Sequence, residues 1–242
     1  MTRTVLIAGV ALLVFLVAVI ETHPNIAIPP EKWTEVRMVE EHVRIALSPA
    51  RVDVEGTYTL KNEGAASTLV VGYPRGILEK SLDDFTAMVD GKAVEVSSVP
   101  GKDAQRRTDF SPPKDPDKPF KNAYQFEGPY PEWKTFNVHL EKDKLHAVVV
   151  RYHVATAEVP AVDGKGLRAF IYVLRTGATW KGNIEKATVE VTLDGGLTRG
   201  DIVTMNPAPA PLAANAAPPR IVWQFRDFKP TQDIEITFKA PK

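Results

Sequence analysis

From Val43 to the C-terminus, apolar residues return again and again at every second position, and this period most constrains the fold. Val43, Ile45 and Leu47 alternate with polar residues, Ser48-Pro49-Ala50 turns the chain, and Val52, Val54, Tyr58 and Leu60 alternate back. A period of two buries one face of a strand and leaves the other wet, whereas a helix repeats near 3.6. The spacing therefore predicts a β-hairpin, closed by Asn62-Glu63-Gly64. Leu69 to Pro74 continues as a third strand. Phe85, Ala87 and Val89 lead into Asp90-Gly91, with Val94 and Val96 leading out, a strong short-range hairpin signal. Ile77 to Asp84 is compatible with one or two helical turns.

The pattern lapses over residues 99–131, which are rich in proline and cations and poor in aliphatics. This is a long surface loop or a junction between subdomains. Patterning resumes at Phe136, Val138 and Leu140, and Glu141 to Lys144 form a turn. Ala147 to Val150 are so apolar that their strand is expected to be covered on both faces. Ala187 to Leu193, Ile202 to Met205, Ile221 to Phe225 and Ile234 to Phe238 complete about twelve predicted strands, with residues 206–219 as a surface loop. No long amphipathic helix and no fixed repeat interrupts them. The expected fold is all-β: a large antiparallel β-sandwich, one extended or two stacked, following an N-terminal hydrophobic helix.

That helix is read from Val5 to Ile20, 16 uninterrupted apolar positions counting Gly9, preceded by Arg3 and ended by Glu21. A basic flank before an apolar run describes a signal peptide or a signal anchor at residues 1–22. Sixteen helical residues reach only about 24 Å against a hydrocarbon core of about 30 Å. Ala18-Val19-Ile20 lacks the small final residue that cleavage prefers. Both alternatives stay open, and both place the remainder outside the cytoplasm. Residues 23–32, with Pro24, Pro29 and Pro30, read as a stiff spacer, and 33–240 as the β-domain.

Composition closes off several functions. Thirty cationic side chains balance 30 anionic ones, which disfavours a general nucleic-acid binder. The absence of cysteine excludes disulfides, thiolate metal sites and cysteine nucleophiles. No Gly-x-Ser-x-Gly elbow, phosphate loop, His-Glu-x-x-His helix or calcium loop occurs, and nothing calls for a cofactor.

Three candidate chemistries remain. If Lys142-Asp143 tips a hairpin, Leu140 faces Leu145 and His139 faces His146 across the ladder, about 5 Å apart and close enough to share a metal ion. His153 falls on the other face of that strand. A carboxylate pair for glycoside hydrolysis would need two acids about 5–9.5 Å apart; Glu40-Glu41 and Asp83-Asp84 are adjacent, so extended backbone turns their side chains apart. Exposed aromatics are the third: Trp180, Trp133 and Tyr130 are candidates for stacking on a glycan or gripping a peptide, set against packing into the core.

The least generic passage is Tyr172-x-Leu174-x-Thr176-Gly177-x-x-Trp180-x-Gly182-x-Ile184. With Gly72-Tyr73-Pro74, and with Trp223-x-Phe225-x-x-Phe228-x-Pro230 before Asp233-Ile234, it resembles a family of bacterial exported proteins known only as a domain of unknown function. The strand order also loosely resembles the β-rich N-terminal domains of some zinc aminopeptidases, without their catalytic part. The resemblance implies an exported β-sandwich and supplies no activity. The expectation is a non-enzymatic, extracytoplasmic structural or binding module of the cell envelope, in the periplasm or at the surface. It would meet an envelope protein or glycan and the membrane through residues 5–20. The alternatives are a carbohydrate-active or other hydrolytic enzyme, and a periplasmic metal-handling protein.

Overall fold

A computed structural model describes residues 35–75, 81–100, 132–159, 166–210 and 220–239. The N-terminal helix, the spacer, most of the 99–131 loop and Tyr130 lie outside these residues. The described chain is all-β. Its fourteen strands are β1 (Val36–Leu47), β2 (Arg51–Asn62), β3 (Ser67–Arg75), β4 (Asp83–Val89), β5 (Lys92–Val94), β6 (Ser97–Pro100), β7 (Glu132–Leu140), β8 (Leu145–Ala155), β9 (Ala157–Val159), β10 (Leu167–Tyr172), β11 (Ile184–Leu193), β12 (Ile202–Asn206), β13 (Arg220–Phe228) and β14 (Ile234–Phe238). A seven-stranded sheet runs β13-β11-β1-β2-β8-β4-β5; a four-stranded one runs β12-β14-β10-β9 and a three-stranded one β3-β7-β6.

The hairpins β1–β2 and β4–β5 form where alternation and turn residues place them. Asp90 and Gly91 both take positive φ (49° and 76°), as a tight two-residue turn requires. Three expectations are corrected. First, β1 and β11 are parallel, Glu40 opposite Lys186 through Leu47 opposite Leu193. The chain reaches β11 from β10, which lies in the four-stranded sheet, so it returns by a crossover rather than by a hairpin. Second, β7 and β8 do not pair: β7 sits between β3 and β6, and β8 between β2 and β4. The Glu141–Lys144 turn is a corner between sheets, where the Asn62 side chain donates to Leu140 O at 3.1 Å and Asp143 N–H to Asn62 O at 2.6 Å. Third, β8 is covered on one face only. Val148, Val150, Tyr152 and Val154 are buried while Ala147 and Arg151 are exposed. Burial on both faces falls instead on β10, from Ala169 to Tyr172, and on β3, from Val71 to Pro74.

Both smaller sheets meet the same face of the large one. On β2, Val52, Val54, Tyr58 and Leu60 point inward; opposite them on β8 stand Val154, Tyr152, Val148 and His146. Tyr73 of β3 donates to the Tyr152 hydroxyl at 2.9 Å, and the hydroxyls of Tyr58 and Tyr172 lie 3.2 Å apart. Tyr172 donates to Glu41 Oε1 at 3.1 Å. Glu41 is fully buried. It faces inward because β1 carries a bulge between Met38 and Glu40, which shifts the inward parity from Val36 and Met38 to Glu41, Val43, Ile45 and Leu47. Gly56 keeps this space open: a Cβ there would lie 2.4 Å from the Tyr58 hydroxyl oxygen.

Burial, the first cause in each case, pushes all four phenols above the ordinary tyrosine range, so they stay neutral donors. A phenol whose pKa rises on folding contributes stability that is complete below its unfolded value and is lost as pH climbs toward the folded one. Stability is therefore expected to fall above about pH 10, each phenol adding up to about 1.4 kcal/mol per pH unit. Chemical denaturation across that range checks this; a flat profile would mean that the phenols ionise equally in both states.

Candidate functional site

The outer face of the large sheet carries the candidate site, and its geometry follows from strand register. One row across the sheet reads Arg44, Glu55, Arg151, on β1, β2 and β8 in turn. The next row on the same face reads Thr192, Ala46, Asp53, His153, Asp83. Beyond it stands Arg51. Long side chains thus flank two short ones, Ala46 and Thr192, and the shortfall in length leaves a hollow of about 420 Å³. That size falls among small-molecule sites, commonly about 300–1,000 Å³.

Its electrostatics are mixed by design of the rows. Glu55 accepts from Arg44 Nη1 at 2.9 Å and from Arg151 Nε at 2.7 Å. The hydrogen bond from Arg151, opposed by burial and reinforced by both arginine charges, holds its carboxyl below the ordinary glutamate range. Arg51 Nε donates to Asp53 Oδ1 at 2.9 Å, and this bond raises the guanidinium pKa further. The two nitrogens of His153 each lie 3.6 Å from a carboxylate, Nε2 from Asp83 and Nδ1 from Asp84. Adjacent aspartates on a regular strand would point apart. Here the register shifts between Asp83 and Thr86, and Asp84 takes φ 51°, so both carboxylates reach one ring. The arginine side chains remain 52–59% exposed, which leaves their donors open to a solute.

The histidines and tryptophans considered from the sequence lie elsewhere. With β7 and β8 in different sheets, His139 and His146 do not face each other. His139 Nδ1 lies 3.1 Å from Thr68 Oγ1 on the exposed face of β3–β7. His146 is buried. Its Nε2 accepts the Glu141 N–H at 3.0 Å, so Nδ1 carries the proton toward Asp90 Oδ2 at 2.8 Å. That occupies the lone pair a metal would need. Burial works to raise the Asp90 carboxyl, and donation from His146 and the Ala147 amide outweighs it, leaving it low. Among the described residues, no group of three or more His, Asp or Glu is arranged to hold a metal ion. Trp133 and Trp180 are both buried, with no face for stacking on a ligand from solvent.

The motif around Trp180 forms a clasp. Arg175 opens a 3-10 turn, Arg175–Thr179, and its guanidinium and backbone N–H all hold Asp233, with Nη2–Oδ2 at 2.7 Å. Lys229 Nζ donates to Trp180 O at 2.8 Å and to Gly182 O at 2.7 Å; Gly182 takes φ 64°. Lys181 N–H donates to Val36 O. The passage thus ties β10, β14 and the start of β1 together. Burial pushes the Asp233 carboxyl above the ordinary aspartate range, against the hydrogen bonds and charge of Arg175.

No family model matches the chain, and no curated protein does. Among solved structures, a Legionella pneumophila protein whose proposed role is nutrient binding superposes with a TM-score of 0.59 at 16% identity, covering 90% of this chain and 72% of its own. At that identity the likeness is one of fold. An M1 zinc metallopeptidase from Deinococcus radiodurans gives a TM-score of 0.40 at 11% identity, over 85% of this chain and 42% of the other, which carries no argument.

Two substitutions test the clasp. Trp180→Ala is expected to cost about 3–5 kcal/mol in denaturant melts, as for other buried aromatics. Arg175→Met leaves a buried carboxylate without its cation and with only backbone N–H donors, at a cost of about 3–5 kcal/mol near neutrality. Because burial raises the Asp233 pKa, its neutral form is the one the fold tolerates, so stability lost in Arg175→Met returns as pH falls and the carboxyl protonates. Equal losses at neutral and acid pH would show that the pair is not the cause.

Proposed function

We propose that the protein is a non-enzymatic, extracytoplasmic binding module of the bacterial cell envelope, and that the hollow on the outer sheet face takes a small polar solute. The N-terminal segment at residues 1–22 exports or tethers it, and the β-domain works beyond the membrane. The observation that carries the reading is the row Arg44–Glu55–Arg151 standing beside the shortened positions Ala46 and Thr192. Charged donors and acceptors on three strands fix a solute's orientation, while the rigid ladder holds them in place without a closing motion.

Shared fold with a protein of proposed nutrient-binding role supports the same class of work. So does the division of the molecule into a stable core on one face of the large sheet and a charged, recessed surface on the other.

The test is a thermal-shift and calorimetry panel of amino acids, dipeptides, sugars, phosphate and nucleosides against the exported domain. One class is expected to bind more tightly than about 1 mM and, at a hundredfold excess over Kd, to add about 2.7 kcal/mol of stability. Ala46→Trp, which fills the hollow from the exposed face, abolishes that response while leaving the unliganded melt unchanged. Binding that survives Ala46→Trp would move the site off this face.

A further inference from the structure

The charge layout of the hollow goes further than its size. Within it, charges of both signs are paired, but the net balance differs from one row to the next. Arg44 and Arg151 flank Glu55 on one row. Two guanidiniums thus share a single carboxylate, which takes one N–H from each, Arg44 Nη1 and Arg151 Nε. Each guanidinium has five N–H donors, so the row holds surplus donors at fixed positive charge. On the neighbouring row the balance reverses. Asp53, Asp83 and Asp84 surround His153, and Asp84 is 89% exposed. Arg51 donates to both oxygens of Asp53 and offsets its charge, so the excess negative charge lies with Asp83 and Asp84. A positive pole and a negative pole therefore stand one row apart, with the short side chains of Ala46 and Thr192 beside them.

We propose that the solute is a zwitterion, a free amino acid or a short peptide, whose carboxylate sits on Arg44 and Arg151 and whose ammonium sits on Asp53 and Asp84. This rests on the hollow being the binding site, as argued above. A carboxylate matches the planar fork of arginine in two parallel hydrogen bonds, which a sugar hydroxyl cannot do. An ammonium needs acceptors only, and the oxygens of Asp53 and Asp84 supply them. A solute bearing both charges satisfies both poles and leaves the net charge of the site unchanged. A solute bearing one leaves the other pole facing water without a partner.

The experiment is calorimetry with L-alanyl-L-alanine, its N-acetyl derivative, its C-terminal amide, free L-alanine and glucose, on the full-length wild-type protein and on Arg151→Met, Asp53→Asn and Ala46→Trp. The dipeptide or the free amino acid is expected to bind, and each singly charged derivative at least about tenfold more weakly, since each lost charge-assisted pair removes that much. Arg151→Met should weaken the free dipeptide and its N-acetyl form but not the amide; Asp53→Asn should weaken the dipeptide and the amide but not the N-acetyl form. That crossed pattern would not arise from a structural role alone. If the derivatives bind as well as the dipeptide, or if glucose binds and Ala46→Trp abolishes it, the zwitterion is overturned while the hollow stands. If no probe binds and the variants melt as the wild type does, both fall.

Discussion

Three sheets meet at a buried carboxyl group and four phenols, and the arrangement of the rest depends on that meeting. Glu41 enters from the large sheet, Tyr172 from the four-stranded sheet, and Tyr58, Tyr73 and Tyr152 link the large sheet to the three-stranded one. Apolar burial supplies most of the driving force but is indifferent to small sliding of one layer on another. Directional hydrogen bonds in a dry interior are not, because each unmade bond strands a buried polar group at a cost of about 1–3 kcal/mol. The phenols therefore fix where the two smaller sheets sit on the large one. Gly56 belongs to the same device, since the Tyr58 ring leans over it.

With the layers fixed, the crossings between them need anchoring, and the residues that looked most individual in the chain supply it. The 3-10 turn from Arg175 to Thr179 carries the chain from β10 back to the large sheet. The carbonyls of Trp180 and Gly182 just after it accept from Lys229, and its leading arginine holds Asp233. Trp180 fills the space beneath. The corner between β7 and β8 is held by the Asn62 side chain and by His146. Histidine there serves as a linker with one donor and one acceptor, both used.

The core so pinned leaves the outer face of β1, β2 and β8 free to carry charge. Antiparallel pairing places residues directly opposite, so a row such as Arg44, Glu55 and Arg151 is held to the precision of the ladder. Two short side chains in the next row make the recess. A bulge in β4 then brings Asp83 and Asp84 together on His153, a convergence that regular strand geometry would forbid. Bulges thus act twice: one on β1 turns Glu41 into the core, and one on β4 gathers the acidic pole.

Local chemistry was legible in the residues themselves. The all-β class, the β1–β2 and β4–β5 hairpins, and the inward positions Val52, Val54, Tyr58 and Leu60 all follow from a period of two and from turn residues whose backbone preferences are intrinsic. The same alternation also marked the outer face as wet. What it faced was not legible, because Glu55 and Arg151 are 96 residues apart and only the pairing of β2 with β8 brings them together. The same holds for Arg175 and Asp233, 58 residues apart. The inward positions Val36 and Met38 were hidden for a different reason: a single extra residue in β1 reverses the parity set by Glu41, Val43, Ile45 and Leu47, and an inserted residue has no signature of its own in an alternating run. Chain-local forces decide which segments become strands. Which strand lies beside which is set by long-range packing, and the core, the clasp and the hollow are products of that choice.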